Sequence, residues 1–284
     1  MLRIAFQGEP GAYSEAAGRQ LFGKKVQLVP CEDFPGVFEK VKQSQVNYGI
    51  IPIENSLAGS IHQNYDLLLQ TRFYTVKEVY LRIEHALLCH PQSRFSNLTE
   101  VLSHPQALSQ CSGYLRQKTK LKPLAFYDTA GAAQYIASLG PGNKAAIAST
   151  YAAGLYKLKI LRRNIEDNNT NTTRFLAISA KAPPAKKFRA TKSATKTSLA
   201  FIPHNNEPGI LFRVLGVFAL RQINLLKIES RPLPTRKFEY CFYLDIEGHQ
   251  NQPSIGSALQ QLNEMVADLA VFGSYEVGET KKLL

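Results

Sequence analysis

A chain of 284 residues, 44% of them apolar, is long enough for one large or two ordinary domains with real cores. No stretch approaches the roughly 18 continuous apolar residues of a bilayer-spanning helix, so no membrane partner is expected. The formal charge of +12 invites a nucleic-acid reading, but Lys181, Lys186, Lys187, Arg189, Lys192 and Lys196 supply half of it from one acid-free segment, and no nucleic-acid motif accompanies them.

The opening residues 2–6 read as a first strand running into a glycine turn and not as an export signal. Short apolar runs then alternate with helical patterns, which predicts an α/β domain with helices on the faces of its sheet. The pattern predicts a helix over 14–22, a strand over 26–29, a helix over 34–44 and a strand over 48–53. Residues 74–89 are extended. Beyond them the alternation repeats in shorter form, with strands ending near 103, 127 and 148 and helices over 106–117, 131–139 and 151–156. A late strand over 175–179 suggests that the chain returns to a first lobe after building a second. The expected lobes are residues 1–74 with 165–180, and 75–164.

Residues 181–197, rich in Pro, Ala, Ser and Thr, read as a solvated basic linker. Residues 198–276 then carry the pattern βαββαβ, the ferredoxin-like split βαβ arrangement, followed by a tail at 277–284. Cys31, Cys89, Cys111 and Cys241 form no C-x-x-C pair or metal-spaced cluster, so they read as reduced thiols of a cytosolic protein with no metal site.

Polar residues gather where strands hand over to helices, at Gly8–Glu15, Pro52–Ser56, Ser103–Gln106 and Asp128–Gly131. In an open α/β sheet these junctions lie at the carboxyl ends of strands, where ligands bind. Helix N-termini there can hold carboxylates without many arginines. Taken singly, Ser14, Ser103 and Thr129 could equally be N-caps, each worth about 1 kcal/mol. The segment Asn168–Phe175 places six small polar residues, then Arg and Phe, before a strand. No obvious Ser-His-Asp or Cys-His system accompanies it. Of the six histidines only His104 is set apart as a candidate.

Asn171, Thr173, Arg174 and Phe175 resemble the Asn-x-Thr-Arg-Phe signature of prephenate dehydratases. Pro52-Ile53-Glu54-Asn55-Ser56 is similar to another segment of that family, as is Ser103-His104-Pro105-Gln106 with Gln110 and Cys111. Glu229-Ser230-Arg231-Pro232 resembles the effector motif of the family's C-terminal ACT domain. The resemblance runs from about residue 2 to residue 276, in the family's order.

It implies a two-lobed, periplasmic-binding-protein-like catalytic region over 1–180 and an ACT regulatory domain over 198–276. The implied reaction is loss of carbon dioxide and water from prephenate to give phenylpyruvate, without a cofactor. Thr173 is the implied donor to the leaving hydroxyl. Asn55, Ser103 and Gln110 match other active-site positions, and Arg174 suits a substrate carboxylate. Phe175, Ser14, Glu54, Ser56, Gln106 and Thr129 complete the expected substrate contacts. Phenylalanine is the implied effector, held by Gly209, Ile210 and Leu211 with Glu229, Ser230, Arg231 and Pro232 in a homodimer or homotetramer. Ile210 and Phe212 depart from the family's usual Gly-Ala-Leu motif by adding bulk. Two alternatives stay open: arogenate, the aminated relative of prephenate, as substrate, and a non-catalytic amino-acid sensor.

Overall fold

The computed structural model describes residues 1–183, 194–205, 207–233 and 239–282. Most of the expected linker, residues 184–193, lies outside the described residues. The elements of the first part are β1 (Leu2–Gln7), α1 (Tyr13–Phe22), β2 (Val26–Cys31), α2 (Phe34–Lys42), β3 (Tyr48–Asn55), β4 (Gly59–Ser60), α3 (His62–Thr71) and β5 (Tyr74–Arg82). Next come β6 (Ala86–Cys89), β7 (Glu100–Ser103), α4 (Pro105–Gln110), α5 (Ser112–Gln117), β8 (Lys122–Ala125), α6 (Thr129–Leu139), β9 (Lys144–Ala148), α7 (Thr150–Leu155), β10 (Lys159–Arg162) and β11 (Thr172–Ser179). The last part holds β12 (Thr195–Pro203), α8 (Ile210–Ala219), β13 (Leu225–Pro232), β14 (Tyr240–Glu247), α9 (Pro253–Met265), β15 (Val266–Glu276) and β16 (Thr280–Lys281).

The chain divides into two compact units, one of residues 1–64, 79–175 and 279–284 and the other of 65–78 and 176–278. The first is built on two sheets, giving the two-lobed α/β organisation expected. One sheet has the order β16-β5-β11-β3-β1-β2, with β4 on β3; the other has the order β10-β6-β9-β7-β8. β1 runs parallel to both β2 and β3. Parallel strands covered on both faces need continuous apolar runs, and Ile4, Ala5 and Phe6 are buried, as are Ile50, Ile51 and Ile53. In the second sheet, Leu87, Cys89, Val101 and Ile147 pack with Cys111 and Leu115 into one core.

The second unit contains a four-stranded sheet of order β13-β14-β12-β15, the ferredoxin-like arrangement. Leu199, Phe201, Leu244 and Ile246 of the sheet bury against Val214 and Phe218 of α8 and Ile255 and Leu262 of α9. The apolar stripes of both helices therefore meet one face.

Four local expectations change. α3, β4 and β10 were not legible, because residues 59–71 and 159–162 mix polar and apolar side chains without a clear period. The helix expected over 106–117 is broken at Cys111 into α4 and α5. β12 begins at Thr195, so Lys196 is no linker cation: it is 4% exposed and its Nζ lies 3.0 Å from Glu78 Oε1. The expected tail contributes β16, which pairs in parallel with β5.

Candidate active site

A cavity of about 540 Å³ lies within the first unit. It opens at the carboxyl ends of β1, β2 and β3, bordered by Gln7, Glu32 and Asn55. The N-terminal residues Tyr13 and Ser14 of α1 and Thr129 of α6 reach it, and so do Gln106 and Gln110 of α4. β11 adds Thr173 and Phe175, which alternate onto one face of their strand.

Two glycines shape the turn before α1. Gly8 and Gly11 have φ of +107° and +96°, and a Cβ on Gly11 would sit 3.2 Å from the Ala152 backbone. Only glycine fits both demands. Buried Glu15 clamps the turn: its carboxylate accepts from Gly11 N at 2.6 Å, from Arg19 Nη2 at 2.8 Å and from the Tyr151 hydroxyl at 2.8 Å. The Tyr156 hydroxyl donates to the Pro10 carbonyl, and burial foremost pushes its pKa up to about 12.

Thr173 is held from one side by Asn55. Asn55 Nδ2 donates to Thr173 Oγ1 at 2.9 Å and to Asn171 Oδ1 at 2.8 Å. Asn55 Oδ1 accepts from Leu57 N and Ala58 N. With both amide protons and the oxygen engaged, the Asn55 side chain has one orientation. Thr173 Oγ1 accepts in its bond with Asn55, so its own proton is available to a ligand.

None of Ser14, Ser103 and Thr129 is an N-cap. The N-cap of α1 is Ala12, which offers no side-chain cap, His104 caps α4 through Nδ1, and Asp128 caps α6 by accepting from Gly131 N at 2.8 Å. Ser14 and Thr129 stand in the cavity wall. Ser103 does not: it is fully buried and its hydroxyl donates to the Ile147 carbonyl at 2.6 Å. Arg174 is also absent from the wall, because it is 5% exposed and occupies the opposite strand face from Thr173 and Phe175. Glu54 lies in β3, where it pairs with Ser60, and does not line the cavity. Ser56 stitches two turns together, accepting from Thr172 N at 3.0 Å.

Among the wall residues that escaped the sequence reading are His85 and Glu32. His85, 2% exposed, contacts the Tyr13 hydroxyl through Nδ1 at 3.2 Å and Gln110 Oε1 through Nε2 at 2.9 Å. Burial lowers its pKa and keeps the ring neutral. Glu32 follows β2, and neither residue belongs to a recognisable spacing pattern. Asp33 and Asp128 also line the cavity, and burial raises the Asp128 pKa. No lysine or arginine among the described residues lines it.

In the second unit, Gly209 has φ +81° and starts α8. Ile210 and Leu211 pack on the local core, whereas Phe212 is 80% exposed. Glu229 pairs with Lys227 at 3.0 Å, and Arg231 Nη2 meets Asp66 Oδ2 at 3.1 Å. Ser230 and Pro232 are exposed on the edge strand β13. All four cysteines are free and buried. Among the described residues no group of three or more His, Cys, Asp or Glu could hold a metal ion, and no helix is long and apolar enough to cross a membrane.

Residues 4–183 match the family model "Prephenate dehydratase", and residues 204–264 match "ACT domain". The chain belongs to the prephenate dehydratase family. It is thus an enzyme of the lyase class with an ACT domain near its C-terminus. A chloroplastic arogenate dehydratase/prephenate dehydratase of Arabidopsis thaliana is 44% identical over 288 residues, covering 98% of this chain and 74% of the relative. An arogenate dehydratase of Petunia hybrida is 43% identical over 288 residues, covering 96% and 71%. Among solved structures, a prephenate dehydratase of Arthrobacter aurescens in complex with L-phenylalanine has a TM-score of 0.87 at 27% identity, covering 96% of this chain and 90% of that one. A novel type of quorum quenching acylase has a TM-score of 0.86 at 34% identity, covering 97% and 98%. The expected cytosolic location of the dehydratase is overturned by its relatives of Arabidopsis thaliana, which are chloroplastic.

Proposed function

We propose that the dehydratase converts prephenate to phenylpyruvate, with Thr173 as the group that hydrogen-bonds the departing ring hydroxyl. The carrying observation is the polarity of the Asn55–Thr173 bond, in which Thr173 Oγ1 accepts at 2.9 Å and keeps its proton for the substrate. In the reaction the ring carboxylate leaves as carbon dioxide, and its bonding pair becomes part of the aromatic ring. The C–O bond opposite breaks, and the hydroxide takes a proton to leave as water. Aromatisation drives both cleavages, so the protein has only to bind, orient and hydrogen-bond. A threonine hydroxyl is a weak acid, and its contribution is preorganised stabilisation of the leaving oxygen.

Prephenate carries two carboxylates, and no lysine or arginine of the described residues lines the cavity. Amide donors at the N-terminal end of α1, beside Ser14, which no side chain caps, are the groups suited to these anions. Appearance of phenylpyruvate from prephenate, compared between the natural chain and Thr173→Ala, tests the proposal. Wild-type rates in the variant would overturn the role of Thr173.

Arogenate is a second substrate reading, supported by the relatives named arogenate dehydratase. An acylase reading, suggested by one structural neighbour, fits less well. A hydroxyl nucleophile needs a base to take its proton, whereas Thr173 receives a hydrogen bond from an amide.

The ACT domain serves as the phenylalanine sensor, a reading supported by its family match and by the L-phenylalanine complex of the Arthrobacter aurescens relative. Gly209–Leu211 and Glu229–Pro232 are its binding segments, with one ligand shared between two chains of a homodimer or homotetramer. Leu226 and Ile228, each 45% exposed on the edge strand β13, support pairing of ACT domains.

A further inference from the structure

We infer that Glu32 is a specificity-determining residue through which the cavity accepts the amino-acid form of its substrate, its carboxylate receiving the ammonium of arogenate. The inference rests on the dehydratase reading above. It begins with the sign of the charges around the cavity, where Glu32, Asp33 and Asp128 contribute carboxylates and no lysine or arginine among the described residues faces them. Such a lining does little for a dianionic keto acid and suits a ligand that brings its own positive group.

The three acids are not equivalent. Asp33 caps α2 by accepting from Gly36 N at 2.8 Å, and Asp128 caps α6 by accepting from Gly131 N at 2.8 Å. Both carboxylates serve helix ends. Glu32 is exposed at the cavity border, and among the described residues no hydrogen bond or ion pair engages its carboxylate. Its backbone carbonyl accepts from Gln7 Nε2 at 3.4 Å.

Position agrees with chemistry. In prephenate and arogenate the leaving hydroxyl and the three-carbon arm sit on opposite ring carbons. With the hydroxyl at Thr173 on β11, the arm points to the far end of the cavity. β11, β3, β1 and β2 are successive neighbours in the sheet, so β2 lies three strand spacings, roughly 14 Å, from β11. A ring, an arm and a glutamate side chain end to end bridge a distance of that order. Glu32 therefore stands where the ketone of prephenate, or the ammonium of arogenate, arrives.

The test compares kcat/KM for arogenate and for prephenate in the natural chain and in Glu32→Gln. Loss of the carboxylate weakens the aminated substrate and relieves repulsion of the keto acid, so the arogenate-to-prephenate ratio falls about fivefold. Glu32→Lys lowers the ratio further. A ratio unchanged in both variants overturns the inference, whether the two activities stay constant or fall together. A natural chain that turns over prephenate but not arogenate also overturns it and leaves the proposed reaction standing. Turnover of neither substrate would sink the dehydratase reading itself.

Discussion

Asn55 Nδ2 donates to Thr173 Oγ1 at 2.9 Å, across 118 positions of sequence. The amide that makes this bond also holds Asn171, and its oxygen is fixed by Leu57 N and Ala58 N. Thr173→Ala removes the donor while deleting little core volume, and kcat should fall by about 100-fold or more with the fold intact. Thr173→Ser should retain part of the activity. Steady-state kinetics beside a circular dichroism melt separate loss of chemistry from loss of fold.

Asn55→Ala leaves the Thr173 hydroxyl unoriented. Its expected effect is a lower kcat with a smaller change in KM, since positioning matters most in the transition state. The double variant Asn55→Ala with Thr173→Ala should be scarcely slower than Thr173→Ala alone, because the two act as a unit. Fully multiplicative losses would show that Asn55 acts independently.

His85 links stability to pH. Burial depresses its folded pKa below the ordinary 6.5, so the folded state prefers the neutral ring. That contribution is complete above the unfolded value and is lost as pH falls through the folded one. Melting temperature should therefore decline from about pH 7 towards pH 5, and His85→Gln should flatten that part of the slope. An identical slope in the variant would remove His85 from this account.

Lys196 and Glu78 form an ion pair in the second unit, with side chains 5% and 0% exposed. Glu78 Oε1 also accepts from Gly278 N at 2.9 Å. Lys196→Ala strands a buried carboxylate, and urea denaturation should report a loss of about 3–5 kcal/mol. A loss below about 1 kcal/mol, typical of exposed pairs, would mean that water reaches Glu78.

Arg231 tests regulation. Calorimetry should detect phenylalanine binding to the full chain, weakened about tenfold or more in Arg231→Ala. The variant also loses the 3.1 Å pair with Asp66, so Asp66→Asn is the control: it breaks that pair but leaves the guanidinium for the ligand. Equal weakening by both variants would assign the effect to the pair. No binding by the natural chain at millimolar phenylalanine would leave the ACT domain as a pairing module.

The sequence by itself determined the α/β class, the βαββαβ order of the last part and the family, through Asn171, Thr173, Arg174 and Phe175 and the Glu229–Pro232 motif. Hydrophobic period and short motifs are local signals, so they survive without coordinates. Which motif residues face one cavity was a matter for the tertiary structure. Strand alternation turned Thr173 and Phe175 inward and Arg174 away, and the packing of β7 against β9 directed the Ser103 hydroxyl to Ile147. His85 and Glu32 carried no spacing signal, because their neighbours in the site come from strand ends and helix starts distant in the chain. Lys196 read as part of a solvated basic run until Glu78, 118 positions away, met it in the interior. Charge and composition name what a residue can do; burial and partners, set by distant chain, decide what it does.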